Sequence, residues 1–284
     1  MNPLKNMPEI PMGYHPGAFG APRKHDVHTG VDLYCGPGEE VLSIGSGEVV
    51  AIVDFTGENV GTPWWHNTKA VIVQQELIEG HILYGEIDPS VYVGQKLKNG
   101  DIIGKVVTVL KKDKGLPMTM LHLEYYNQYF DLKPVEWLIG GEMPNYLVSP
   151  YKLLTKNIHD ENYQKVGFWD EKEEYDQTRD EVCYINGEME GIGQWSGGEM
   201  VSYGYYKNGL KEGIWRIKNI RNNEVFYECV HVNDVQHGRT WRYEHSSVKE
   251  YTFIFSDSGL WSGEEVVVYY DLEDDPNPGS NFSE

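Results

Sequence analysis

The sequence predicts an all-β protein in two parts: a run of short antiparallel strands joined by tight turns, then a stacked array of β-hairpins. Three observations predict it. Turn residues recur about every eight to twelve positions between short apolar runs, the spacing of strands joined by tight turns. Gly (31) and Tyr (20) are abundant among the 284 residues, and helix formers do not dominate. The C-terminal half repeats the frame Asn-Gly-x-x-x-Gly, and repeated short units of this kind stack on one another.

Taken in order, residues 1–20 are rich in Pro, Gly and Met and read as an irregular N-terminal arm. Val31–Tyr34 is a short apolar run, and Gly36-Pro37-Gly38 turns it into Glu40–Ile44. Gly45-Ser46-Gly47 then leads to Glu48–Val53. These are strands in hairpins. A polar loop over 56–68 carries Trp64, Trp65 and His66. Ala70–Gln74 and His81–Tyr84 read as strands; Val91–Val93 leads into residues 94–106, which read as turn, short strand, turn and strand. The strand Met120–Tyr126 alternates: Met120, His122 and Glu124 share one face, and Leu121 and Leu123 share the other. Ser149–Leu154 closes this first part.

From residue 184 the chain changes character. Asn186-Gly187 with Gly191 and Asn208-Gly209 with Gly213 are two copies of one frame; Asn233-Asp234 with Gly238 and Ser258-Gly259 with Gly263 are degraded copies. The offsets are 22, 25 and 25 residues, and the aromatic residues Trp215, Trp241 and Tyr269 follow the last glycines. Each unit reads as two strands and a turn, which buries its apolar face only by stacking on its neighbours. The expected domains are therefore 21–155 and 156–270, with an acidic tail over 271–284 expected to be disordered.

Net charge narrows the function classes. With 24 Lys+Arg against 44 Asp+Glu the chain carries −20. That excludes general binding to a phosphate backbone, which needs clustered cations. Residues 1–155 hold 12 basic and 18 acidic residues (net −6), and 156–284 hold 12 and 26 (net −14), a shift at the expected boundary. Cys35, Cys183 and Cys229 are odd in number and lack CxxC spacing, so neither a disulfide framework nor a cysteine zinc site is expected. No run approaches the roughly 20 apolar residues of a membrane-spanning helix. The N-terminal residues lack the apolar core of a secretory signal, so a cytoplasmic location is expected unless export uses another route.

The chemistry concentrates in His28-Thr29-Gly30-Val31-Asp32 and Leu121-His122-Leu123-Glu124. Two histidines and a carboxylate suit Zn²⁺, and three protein ligands leave a fourth position open. With those residues in view, the ordered motifs of residues 20–155 resemble the M23 (lysostaphin/LytM-like) metallopeptidase domain. Arg23 followed by His28, Gly30 and Asp32 resembles its R-x-x-x-x-H-x-G-x-D segment. Pro37–Val41 with Gly45–Val50 resembles its glycine-turned hairpin, and Val93–Gly104 its V-x-x-G-Q-x-V-x-x-G-Q-x-I-G signature. Leu83–Ile87 stands where that family has Y-x-H-L, and Met120–Glu124 where it has H-L-H-F-E.

The resemblance implies that His28, Asp32 and His122 hold Zn²⁺ and that Glu124 supports a ligand. It places Tyr84, Met120, Trp64, Trp65 and His66 along the substrate groove. It also implies that two assisting histidines are replaced, by Glu86 and Met120. Three readings stay open. The domain binds a peptide or protein without cutting it; or it hydrolyses peptidoglycan or a related glycine-containing peptide, with Glu86, His81 or His66 as base; or it is a metal-free fold. His15 in the arm is a further candidate ligand. The repeats resemble MORN-type and YwqK-like repeats, which implies a protein partner; a local charge of −14 disfavours an anionic membrane.

Overall fold

The computed structural model describes residues 2–268 apart from 77–79, 114, 116, 134, 155–156, 160, 163, 173–177, 245–246, 256–260 and 263–264, with backbone alone for 158–159 and from 237 onward. Ser258, Gly259 and Gly263 of the fourth repeat copy, Tyr269 and the acidic tail therefore lie outside the described residues. The chain forms two compact units, residues 1–168 and 169–284. Among the described residues it is nearly all β, with antiparallel pairing in both sheets, and no helix is long and apolar enough to cross a membrane.

The first unit contains β1 (Val31–Tyr34), β2 (Glu40–Leu42), β3 (Gly47–Thr56), β4 (Thr68–Gln75), β5 (His81–Pro89), β6 (Lys96–Leu97), β7 (Ile102–Val106), β8 (Met120–Tyr126) and β9 (Leu147–Val148). One four-residue helical turn, α1 (Tyr151–Leu154), follows. The main sheet runs β1-β8-β5-β4-β3-β6; β7 bridges β2 and β5, and β9 edges β8. Alternation divides the central strands as their side chains require. Val31, Leu33, Leu121 and Leu123 are wholly enclosed on one side. Asp32, His122 and Glu124 turn to the other, where the groove lies. The turn, short strand, turn and strand expected over 94–106 are present as a turn at Val93–Gly94, β6, a turn at Asn99–Gly100 and β7, with Tyr92 and Val93 exposed before them.

The N-terminal segment is irregular but docked. Leu4 bridges to Val41 and is buried, and the Leu42 N–H donates to the Pro3 carbonyl. The Tyr151 hydroxyl donates to the Pro11 carbonyl and accepts from the Phe19 N–H, pinning the segment at two points.

After β10 (Ile158–His159), β11 (Lys165–Lys172) carries the boundary between the units. The second unit continues with β12 (Arg179–Ile185), β13 (Glu188–Gly197), β14 (Met200–Lys207), β15 (Leu210–Asn219), β16 (Val225–Val232), β17 (Val235–Glu244), β18 (Ser247–Phe255), β19 (Trp261–Ser262) and β20 (Glu265–Val268). From β12 to β18 each strand pairs with the next in the sequence. The repeated frame has a conformational cause. Asn186-Gly187, Asn208-Gly209 and Asn233-Asp234 all have positive φ at both central positions, or at both residues of the degraded copy, as a two-residue turn between right-twisted strands requires. The frame's last glycines, Gly191 and Gly213, also have positive φ, beside the register shifts of their hairpins.

Candidate metal centre

His28 lies just before β1, where its backbone exchanges hydrogen bonds with the docked segment: its N–H donates to Ala21 and its carbonyl accepts from Gly20. Its Nδ1–H donates to the Ala18 carbonyl at 2.9 Å, which leaves the Nε2 lone pair facing inward. Asp32 on β1 stands opposite His122 on β8. Asp32 Oδ1 lies 2.8 Å from His122 Nδ1 and 3.2 Å from His28 Nε2, and the two nitrogens are 3.2 Å apart. A tetrahedral centre with bonds of about 2.0–2.1 Å has edges of roughly 3.3 Å, so this triangle fits a zinc-sized ion with little adjustment. Among the described residues this is the cluster of His, Cys, Asp and Glu able to hold a metal.

Each of the three is held from behind. Arg23 Nη2 donates to Asp32 Oδ2 at 2.8 Å, while its Nε and Nη2 also donate to the Pro16 carbonyl. His122 Nε2 contacts Glu124 Oε1 at 3.0 Å. Glu124 in turn accepts from the Thr29 and Tyr126 hydroxyls. Such carboxylate–histidine pairs fix a ligand's ring and tautomer. Glycine is required at position 30, because a Cβ there would lie 2.6 Å from both His122 Nε2 and the Leu123 carbonyl oxygen. The close approach of β1 to the His122 ring thus explains the glycine between His28 and Asp32.

The electrostatics follow from burial and these contacts. Burial pushes the His28 pKa down and favours neutral imidazole. At Asp32 burial works against the charge, but the charges and hydrogen bonds of His28 and His122 prevail and hold the carboxyl well below its usual range. Burial also opposes a charged His122, yet its hydrogen bonds to Asp32 and Glu124 win and push it up to about 10. Its Nδ1 proton therefore sits on the lone pair that a metal would take.

The cluster forms part of the lining of a groove of about 440 Å³. Phe55, Val53, Ile72, Leu83, Val109 and Met120 supply much of its apolar wall. Phe55 packs on the His122 ring with centroids 5.1 Å apart, in the space left by Gly85, where a Cβ would meet Phe55 at 2.7 Å.

Glu86 is the unexpected member. It is a non-glycine residue at φ 66°, in β5 where the register against β4 shifts. The extra residue reverses the alternation. Tyr84 is consequently fully buried, its hydroxyl accepting from the Ile44 N–H, while Glu86 lines the groove. Glu86 is 7% exposed, and its Oε2 has no hydrogen-bond partner among the described residues. Burial, reinforced by the Asp32 charge, pushes its pKa up to about 8.

The other expected groove residues divide. Met120 and Trp65 line the groove. Tyr84, Trp64 and His66 are not among its lining residues; Trp64 is 59% exposed. His81 is buried against Phe130, and His15 packs edge-on to Tyr34 with its Nδ1 accepting from the Gly17 N–H, so neither joins the cluster. The reading from sequence missed Thr29, Tyr126 and the Ala18 carbonyl. Tyr126 continues the alternation of 120, 122 and 124 and was findable; the Ala18 contact has no sequence signal.

No protein-family model matches the chain, and no curated protein sequence matches it. Among solved structures it is similar to a putative peptidase M23 from Pseudomonas aeruginosa, at 17% identity over 53% of this chain and 52% of that one, with a TM-score of 0.31. It is similar to LytU at 20% identity, covering 54% and 88%, with a TM-score of 0.35. It is also similar to the antimicrobial peptidase lysostaphin from Staphylococcus simulans at 15% identity, covering 88% and 85%, with a TM-score of 0.33. The chain spans about half the length of the Pseudomonas structure that it matches.

Proposed function

We propose that residues 21–155 form a zinc-binding, M23-like groove that holds a peptide or protein partner, and that residues 156–270 form a MORN-like module for a protein partner. The observation that carries the first part is the ligand triangle of His28, Asp32 and His122 in a groove wall, each member braced by a separate partner. When bound, zinc would polarise a carbonyl and acidify a water molecule. Whether turnover occurs then depends on the side chains around the ligands. Met120 lies beside them and offers only a thioether, which neither donates a hydrogen bond nor accepts one strongly. An oxyanion forming there would lack the donor that a histidine supplies, a loss of about two to three orders of magnitude in rate.

One observation favours a second reading, hydrolysis of peptidoglycan or a related peptide. Glu86 reaches the groove from a strained backbone, and strain of this kind is retained at functional sites. Its carboxylate can accept a proton from a water molecule in the groove. The test pairs zinc content with cleavage of peptidoglycan and glycyl peptides. One zinc per chain and no cleavage supports the binding reading. Cleavage that disappears in Glu86→Ala supports the hydrolase. Undiminished zinc in a His28→Ala variant would refute both.

A further inference from the structure

The groove is built for a ligand with more than glycine to offer. Phe55 flanks His122 on one side, and Met120 neighbours it along the same face of β8. A diglycine segment would leave these walls without side-chain contact. Burying a leucine-sized side chain against them adds about tenfold or more in affinity.

The polar groups specify the rest. The cations lining the groove are already engaged, Arg23 by Asp32 and the Pro16 carbonyl, and Lys133 by Asp131. Of the other acids lining the groove, Asp32 and Glu124 are engaged, and Asp26 and Glu136 are exposed to solvent. Glu86 is nine-tenths buried, lines the same cavity and has an oxygen with no partner among the described residues. The Trp65 indole N–H, also of a groove-lining residue, has no partner among the described residues either. A buried carboxyl with an unpaired oxygen is satisfied by a cationic donor, whose charge favours the ionised form that burial alone disfavours, and an unpaired indole N–H is satisfied by a carbonyl.

Resting on the peptide-groove reading above, we propose that this site recognises a peptide segment that carries a primary ammonium and a bulky apolar side chain, with the ammonium against Glu86, the side chain against Phe55 and Met120, and a backbone carbonyl at the Trp65 N–H. The ammonium has two sources, a peptide N-terminus or a lysine-type side chain.

The test measures dissociation constants by calorimetry on the zinc-loaded full chain and again on chelated protein, so turnover is not the readout. The probes are Leu-Gly-Gly-amide, its N-acetyl form, Gly-Gly-Gly-amide, and N-acetyl-Lys-Leu-Gly-amide. Acetylation of the first peptide is expected to weaken binding at least tenfold in the wild type and less than threefold in Glu86→Gln. The triglycine amide is expected to bind at least tenfold more weakly than the leucyl peptide. Tight binding by the lysyl peptide assigns the ammonium to a side chain; weak binding assigns it to an N-terminus. Equal affinities for all four peptides would overturn this inference and leave the peptide groove standing. Binding by none of them would overturn both.

Discussion

Replacing Glu86 by Gln makes the strained carboxyl permanently neutral without changing its size. In chelated wild-type protein its pKa rises from an ordinary 4.5 to about 8, because burial penalises the charged form. A raised carboxyl pKa means that the native state holds a proton which the unfolded chain has already released. Between pH 4.5 and 8 the unfolded state thus binds fewer protons, and stability falls as pH rises, by about 1.4 kcal/mol per pH unit. Over the 3.5 pH units between those two values the loss is about 5 kcal/mol. It is complete above pH 8 and absent below pH 4.5. Glu86→Gln removes this dependence together with the Glu86 charge that Asp32 and His122 feel, while titrating groups away from this cluster are common to both proteins. Urea unfolding followed by tryptophan fluorescence, at intervals from pH 4.5 to 9, gives the two curves. They should nearly meet at the acid end and diverge steadily, with the variant the more stable at pH 9. Parallel curves would refute the argument that burial keeps this carboxyl protonated.

Further outcomes follow from the same geometry. Gly30→Ala should drive the His122 ring out of place and weaken zinc binding by about two orders of magnitude or more, read by competition with a chromophoric chelator. Glu124→Gln keeps the space but loses the charged acceptor behind His122, and should lower zinc affinity about 10–100-fold in the same assay. Because His122 holds a proton up to about pH 10, zinc binding should release one proton per ion near neutral pH, and affinity should rise about tenfold per pH unit there. Calorimetry in buffers of different ionisation enthalpy counts that proton; a count of zero would contradict the His122 assignment. Gly209→Ala places a Cβ at φ 77° in a hairpin turn and should destabilise the second unit by about 1–2 kcal/mol, seen as faster proteolysis of that unit.

Much of the fold was legible because two regularities carried it. Alternation along Met120–Tyr126 sorted groove from core, since each strand there has one side in the hydrophobic interior. The Asn-Gly frame announced hairpin turns because few other dipeptides accept positive φ twice in succession. The failures arise where a local irregularity breaks the regularity. One additional residue in β5 put Tyr84 in the core and left Glu86 in the groove, and no property of Tyr84-Gly85-Glu86 alone announces a register shift. Residues 1–20 read as an arm because Pro and Gly disfavour regular structure, yet Leu4, Ala18 and Phe19 are buried all the same. Irregular backbone and loose attachment are separate properties, and composition reports only the first.

The Tyr151 hydroxyl has a consequence for the order of assembly. It ties Pro11 and Phe19 across sequence separations of 140 and 132 residues, and the neighbouring Ala18 carbonyl sets the tautomer of His28. On a ribosome, His28, Asp32 and His122 would all emerge before the residue that clasps the segment orienting the first of them. A competent ion site should therefore appear late, after Tyr151 is available, and chains stalled short of it should capture zinc poorly despite containing every ligand.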